Sequence, residues 1–311
     1  MTIHHLVIGG GGLKGLCFYG ILKQLSIKNF WNIKNIKTIY SCSAGGYVGF
    51  ILSLNYDFDW IDDYIIKRPW DKLVALKPTT ILNTWLEKGL VGEEIAIEII
   101  KPLLGAKSLN LNITLKELFE FTGIEQHFYT TNLNGADITK VDLNYKTHPD
   151  LELYKALAMT SALPIFFKPI FIDNGCFVDG GIVNNFPLND CLDETGCNDD
   201  DVLAIRECSK SKTTIDSETT IYSYLLRIVF SMARLISNDN NQKIVKNSIT
   251  YYAPNFDVNF WKDTLSNETN RSELVECGLK LADEFLAAAA ETATECDDIP
   301  IPVPVPVGDG L

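Results

Sequence analysis

The N-terminal part of the chain alternates short strand-forming runs with helical patterns, and small residues fill the strand-to-helix junctions. The pattern predicts strands at His4–Ile8 and Ile36–Tyr40 and helices at Leu16–Ser26 and Ala44–Leu54. Strand–helix–strand–helix order with short connections is typical of βαβ units, whose strands pair in parallel. We therefore predict an α/β fold built on a mostly parallel sheet.

The remaining patterns are less regular. Strands are predicted at Glu125–Asn132 and Ile165–Ile172. Three prolines are predicted to break the segment 60–101 into several short helices: Pro69, Pro78 and Pro102. The segment Ile221–Ser237 has apolar residues at helical spacing and predicts an amphipathic helix. Such a helix packs either on the core of the protein or on a lipid surface, and both interpretations stay open.

Composition limits the class of protein. The 40 Asp and Glu against 27 Lys and Arg give a net charge of −13, which disfavours binding to nucleic acid. No run approaches the roughly 18 uncharged apolar residues of a membrane span, and the N-terminal segment lacks the pattern of a signal peptide. We expect a cytoplasmic protein with one domain over 1–295 and a flexible proline-rich tail at 296–311.

The first chemical motif is the glycine run Gly9–Gly12, which lies between a predicted strand and helix and is followed by Leu-Lys-Gly. Gly10, Gly12 and Gly15 satisfy the dinucleotide-binding pattern G-x-G-x-x-G. That pattern needs a carboxylate about 20 residues further on, whereas the first carboxylate here is Asp57. The remaining interpretations are an oxyanion hole of backbone N–H groups and a plain tight turn.

The second motif runs from Ser41 to Gly46 with the sequence Ser-Cys-Ser-Ala-Gly-Gly. It approximates G-x-S-x-G, the nucleophile elbow that holds a serine on a sharp turn above a sheet. Ser43 is the candidate nucleophile, and the predicted helix starting near Ala44 directs its positive end towards it. As alternatives, Ser43 caps that helix, or the thiol of Cys42 is the reactive group.

The third motif is Asp179-Gly180-Gly181, directly after a predicted strand. Apolar neighbours on both sides are expected to desolvate Asp179 and raise the pKa of its carboxyl, as a catalytic base requires. An aspartate that only caps the loop, as in an Asx turn, is the structural alternative.

The positions of the histidines decide which catalytic arrangement fits. All four precede Asp179, the last being His148, whereas an elbow hydrolase with a triad runs in the order Ser, Asp, His. A serine paired directly with an aspartate needs no histidine. The sequence therefore favours a dyad of Ser43 and Asp179.

In this order the motifs Gly10–Gly15, Ser41–Gly45 and Asp179–Gly181 resemble those of the patatin-like phospholipases. The segment Ala156–Phe167 is similar to the segment ahead of the family's aspartate motif, and the resemblance covers Ile3–Leu188. It implies a three-layer α/β/α fold and a lipid acyl hydrolase that acts without a metal or other cofactor.

The resemblance also implies roles for single residues. Ser43 is the nucleophile that forms an acyl-serine intermediate and Asp179 is the base. The oxyanion hole is the backbone of three glycines, namely Gly10, Gly11 and Gly12. The supporting positions of the motifs are Gly15, Ser41, Ala44, Gly45, Gly180 and Gly181.

The implied substrate is a phospholipid or acylglycerol that the enzyme meets in transient contact with a membrane surface. One departure is that Ser41 stands where the elbow usually has glycine. The rival hypotheses are a nucleotide- or NAD(P)-binding protein that uses Gly10–Gly15, and a catalytically inactive member of the family.

Overall fold

The computed structural model describes residues 2–73, 86–209, 215–236, 243–253 and 258–297. Its strands, in chain order, are β1 His5–Ile8, β2 Thr38–Cys42, β3 Gly89–Val91, β4 Glu125–Asn132, β5 Thr139–Leu143, β6 Ile165–Phe167, β7 Ile170–Ile172, β8 Gly175–Asp179, β9 Val202–Ser209 and β10 Ser248–Ala253. Its α-helices are α1 Gly15–Ile27, α2 Ala44–Ser53, α3 Phe58–Lys67, α4 Glu94–Ala106, α5 Leu115–Thr122, α6 Leu153–Thr160, α7 Leu188–Thr195, α8 Ile221–Ile236, α9 Val258–Ser266 and α10 Glu268–Asp297.

The central sheet confirms the predicted α/β fold. Its strands follow the order β10-β9-β1-β2-β4-β8-β7, with β5 also paired to β4. The five strands from β10 to β4 are parallel, whereas β5, β7 and β8 add antiparallel pairs at one side. Strand β3 pairs with β6 in a separate small sheet.

Alternation along the inner strands builds a core on each face of the sheet. In β1, Leu6 and Ile8 join the larger core, which contains α1, α2 and α6, while Val7 joins a smaller core under α7. In β2, Ile39 and Tyr40 divide in the same way. Strands buried on both faces in this manner are typical of a parallel sheet between two helical layers.

Two predictions about local structure are wrong. Pro102 does not end a helix but lies inside α4. A proline there leaves the carbonyl oxygen four residues earlier without its helical donor. That oxygen, on Glu98, instead accepts a hydrogen bond of 2.9 Å from the Arg68 guanidinium. The predicted strand Ile165–Ile172 is divided at Lys168-Pro169 into β6 and β7, which belong to different sheets.

The acidic residues from Asp190 to Glu194 belong to α7. Pro78 and residues 298–311 of the proline-rich tail lie outside the described residues, whereas Cys296 and Asp297 still belong to α10.

The long C-terminal helix α10 packs directly on α1 through two glycines. A β-carbon at Gly20 would lie 2.2 Å from the carbonyl oxygen of Val275, and one at Gly278 would lie 2.1 Å from that of Cys17. Neither helix has room for a side chain at this crossing, so their backbones touch. The C-terminal third is thereby fixed to the helix that follows the glycine run.

We expect Gly278→Ala to lower the free energy of unfolding by about 1–3 kcal/mol, because its methyl group forces the two backbones apart. Chemical denaturation measures the change. Gly105→Ala in the exposed last turn of α4 is the control, since a β-carbon there meets nothing within 4 Å. Equal stability of the Gly278→Ala variant and the unmodified chain would contradict the packing described.

Candidate active site

Ser43 occupies the corner between β2 and α2 in a strained conformation. Its φ of 51° and ψ of −122° are unusual for a residue with a side chain. The corner is tight because Gly45 lies against β1, where a β-carbon would be 2.2 Å from the Ile8 carbonyl oxygen. The hydroxyl of Ser43 does not cap α2, which removes the helix-cap alternative. It donates a hydrogen bond of 2.8 Å to Oδ2 of Asp179.

Asp179 ends β8, which pairs antiparallel with β4, and its carboxylate is buried with 6% of the residue exposed. Its Oδ1 accepts a hydrogen bond of 2.8 Å from the N–H of Gly181. Burial raises the pKa of the carboxyl to about 6, although the hydrogen bonds from Gly181 and Ser43 act in the opposite direction. Gly180 lets the chain turn here, since a β-carbon would lie 2.2 Å from the Tyr129 carbonyl oxygen.

Ser41, the departure from the usual elbow, fits into the sheet without disturbing it. Its side chain is buried, and its hydroxyl donates a hydrogen bond of 3.0 Å to the carbonyl oxygen of His127 on β4. A buried hydroxyl with a partner carries little penalty. The geometry of the corner at Ser43 is therefore compatible with serine at position 41.

The glycine run lies beside Ser43. A β-carbon on Gly10 would lie 3.2 Å from Cβ of Ser43. The N–H of Gly10 donates to the Asn185 carbonyl oxygen at 3.0 Å, and the Asn185 side-chain amide donates back to Gly10 at 3.3 Å. Gly12 has a φ of +55°, which favours glycine. Within the described parts of the chain, the N–H groups of Gly11 and Gly12 donate to no protein acceptor.

Two contacts connect the glycine run to the C-terminal third. Lys14 is buried, and its Nζ lies 2.7 Å from Oε1 of Glu207 on β9. Trp261 of α9 covers Gly12, where a β-carbon would lie 2.7 Å from the indole ring. The same indole packs against Phe166, with 5.6 Å between ring centroids. Trp261 thus forms a wall that joins the glycine run to β6.

A cavity of about 1110 Å³ opens beside Ser43 and Asp179. Most of its lining is aliphatic or aromatic, from α1–α4, α8, α9 and the small sheet: Leu13, Leu16, Val48, Ile51, Ile61, Ile65, Leu90, Val91, Ile95, Ile99, Phe166, Phe167, Leu226, Phe230 and Trp261. A pocket of this composition suits a ligand with a long hydrocarbon part.

The other candidate nucleophile and base do not fit the site. Burial raises the pKa of the Cys42 thiol well above its usual range, so the thiol stays protonated. Among the histidines, His127 is buried in a different cluster, where its Nδ1 lies 2.7 Å from Asp142 and its Nε2 lies 3.4 Å from Glu125. Burial works against its charge, but these carboxylates raise its pKa to about 9. None of the described histidines hydrogen-bonds to Ser43 or Asp179.

The structure thus brings together every motif residue singled out from the sequence and adds three that sequence reasoning missed. Asn185 holds Gly10, Trp261 covers Gly12, and Thr160 accepts a hydrogen bond of 2.9 Å from the N–H of Ser43. Thr160 lies in the segment that resembles the family, which was a usable signal. Trp261 had none, because its place depends on a long-range contact.

Comparison with known proteins finds a matching family model and several relatives. The family model described as patatin-like phospholipase matches residues 6–192. A probable lipid hydrolase of Invertebrate iridescent virus 6 is 32% identical over 187 residues, which are 59% of this chain and 61% of that protein. The match thus covers less than two thirds of that relative's length.

Two further relatives extend over more of the chain. An uncharacterised protein of Acanthamoeba polyphaga mimivirus is 25% identical over 296 residues, 89% of this chain and 92% of its own length. The crystal structure of VipD from Legionella pneumophila covers 92% of this chain and 67% of that chain, with 16% identity and a TM-score of 0.53. The likeness to VipD supports the fold alone.

Burial of Asp179 has a consequence for stability. Because the pKa of its carboxyl is raised to about 6 in the folded chain, ionisation above that pH opposes folding. We expect Asp179→Asn to raise the melting temperature at pH 7.5, and this gain to shrink as the pH falls from about 6 towards 4. Thermal melts of both proteins across this range measure it. A variant less stable than the unmodified chain at pH 7.5 would contradict the assignment.

Proposed function

Because the chain belongs to the patatin-like phospholipase family, we propose that it hydrolyses acyl esters of lipids at Ser43, with Asp179 as the base. The observation that carries this proposal is the hydrogen bond of 2.8 Å from Ser43 Oγ to Asp179 Oδ2 beside a large apolar cavity. A hydroxyl aimed at a buried carboxylate of raised pKa is a suitable pair for nucleophilic catalysis.

The proposed reaction has two steps. Oγ of Ser43 attacks the ester carbonyl carbon while its proton passes to Asp179. The bond to the leaving alcohol then breaks, and the same carboxyl returns the proton to the alcohol oxygen. In the second step water attacks the acyl-serine, Asp179 takes the proton of the water, and the fatty acid leaves as Ser43 regains its hydrogen.

The glycine run is proposed to stabilise the oxyanion that forms in both steps. Of the proposed Gly10–Gly12 set, the N–H groups of Gly11 and Gly12 have no acceptor among the described residues, whereas that of Gly10 is bonded to Asn185. Gly10 therefore contributes by holding the loop in place. The helices α1 and α2 both begin beside this point, and their positive ends favour a negative charge there.

A phospholipid or acylglycerol fits the cavity because the lining offers aliphatic and aromatic contact to an acyl chain. Each methylene removed from water contributes about 0.8 kcal/mol, or roughly a fourfold preference per added carbon while space remains. We therefore propose that esters of long fatty acids are preferred over short ones.

The test combines a covalent probe with substrates of graded chain length. A fluorophosphonate should label the unmodified protein but not Ser43→Ala, because the probe reacts with an activated serine. Asp179→Asn should lose at least about 100-fold in kcat, since a general base contributes about that much or more. Ester hydrolysis should rise with pH around pH 6, as Asp179 ionises. Labelling that persists in Ser43→Ala would overturn the assignment, and a protein that neither reacts nor turns over would be an inactive member of the family.

We further propose that helix α8 contacts the membrane surface. Its buried and cavity-lining side is formed by Leu226, Phe230 and Ala233, whereas its outer side exposes apolar residues. These are Ile221, Tyr224, Leu225, Ile228, Met232, Leu235 and Ile236. No helix in the described ranges has both the length and the apolar character needed to cross a bilayer. An amphipathic helix lying in the lipid interface would place the cavity next to its substrate.

Met232→Glu combined with Leu235→Glu should weaken binding to phospholipid vesicles by at least about tenfold, because two apolar side chains no longer enter the interface. Hydrolysis of a soluble short-chain ester should stay unchanged. Phe121→Glu serves as the control, since Phe121 is an exposed apolar residue on α5, outside the cavity lining. Equal loss of vesicle binding in the control would contradict the proposal that α8 is the contact surface.

A further inference from the structure

The end of helix α6 touches the backbone of both members of the dyad. Oγ1 of Thr160 accepts the N–H of Ser43 at 2.9 Å, and the carbonyl oxygen of Ala162 accepts the N–H of Asp179 at 3.0 Å. Only one residue, Ser161, separates these contacts along the chain. The segment 160–162 therefore holds the nucleophile on β2 and the base on β8 relative to each other.

Thr160 is itself held in place by a hydrogen bond to β4. It is fully buried, and its hydroxyl donates a hydrogen bond of 2.5 Å to the Tyr129 carbonyl oxygen on β4. The orientation of the hydroxyl is thus set, and its lone pair points to Ser43. Oγ1 of a second threonine, Thr130, lies 3.0 Å from the Met159 carbonyl oxygen and 2.8 Å from that of Val178, and its one proton is shared between them, so the end of α6 is also linked to β8.

Ser43 needs such an anchor because its backbone is strained. The N–H of a residue at φ 51° and ψ −122° is turned away from the sheet ladder, and an unpaired buried N–H is costly. Thr160 supplies the missing acceptor. It also fixes the position of the Ser43 backbone, and thereby the distance from Oγ to Asp179.

We propose that Thr160 is a positioning residue for the dyad, which acts through the Ser43 N–H and does not touch the substrate. This inference rests on the proposed function and explains why a segment far from the three motifs shares the family pattern. Misplacing reacting groups by about 1 Å can cost on the order of 100-fold in rate, so a single lost hydroxyl is expected to be visible in kcat.

The test compares Thr160→Val, which keeps the shape and removes the hydroxyl, with Thr160→Ser, which keeps the hydroxyl. We expect kcat to fall about 10- to 100-fold in the valine variant, with KM changed by less than about threefold. The serine variant should stay within about threefold of the unmodified enzyme. Because the Ser43 hydrogen bond lowers the pKa of Asp179, the acid limb of the pH profile should also move upwards in Thr160→Val.

Thr131→Val is the matched control. Thr131 follows Thr130 on β4 and is fully buried like Thr160. Its hydroxyl has no hydrogen-bond partner within the described structure. Its loss should leave kcat unchanged. Circular dichroism shows whether each variant folds. If Thr160→Val does not fold, Thr160→Ala is used in its place.

Two outcomes would overturn the inference: full activity of the folded variants that lack the hydroxyl, or an equal loss in Thr160→Ser. An unmodified enzyme with no turnover and no fluorophosphonate labelling would instead refute the proposed function. The two failures are therefore distinguishable.

Discussion

The first turn of helix α2 packs against the C-terminal end of strand β1, and this close approach determines the geometry of the site. Gly45 lies against the Ile8 and Gly9 carbonyl oxygens, at distances of 2.2 and 2.7 Å from a β-carbon, so only glycine lets the helix come so near. Gly15, the first residue of α1, meets Ala44 in the same way at 3.0 Å. Two helix N-termini thus converge on one corner, and the serine in that corner has no relaxed backbone conformation available.

The raised pKa of Asp179 follows from burial and not from a charged neighbour. Its contacts are neutral donors, namely the Ser43 hydroxyl, the Gly181 N–H and, at 4.0 Å, the Cys42 thiol, and desolvation is the largest influence on its pKa. A basic carboxylate obtained in this way opposes folding at neutral pH. The surrounding hydrogen bonds at Thr130, Thr160 and Asn185 hold the site together against that cost, as is common where function requires strain.

Local sequence patterns predicted most of the secondary structure near the site and the positions of its motifs. Helix α2 and the strand Glu125–Asn132 follow from periodicity, and small-residue motifs single out Ser43 and Asp179, which the structure places within hydrogen-bond distance of each other. The errors have long-range causes. Pro102 can lie within its helix because Arg68, which directly follows α3, donates a hydrogen bond to the carbonyl oxygen that the proline leaves without its helical donor. The contact of Trp261 with Gly12 could not be predicted either, because nothing in the helical pattern around a tryptophan relates it to a distant glycine. Contacts between distant segments depend on the fold as a whole.

The contact between α1 and α10 at their two glycines shows that the fold extends beyond the region that matches the family model. The family model ends at residue 192, yet β9 flanks the first strand and α10 presses on the first helix. A chain cut at that boundary would leave β1 as an exposed edge and uncover one side of α1. Beyond residue 192, Gly278 and the carboxylate of Glu207 thus bind the C-terminal part of the chain to the half that carries the three motifs.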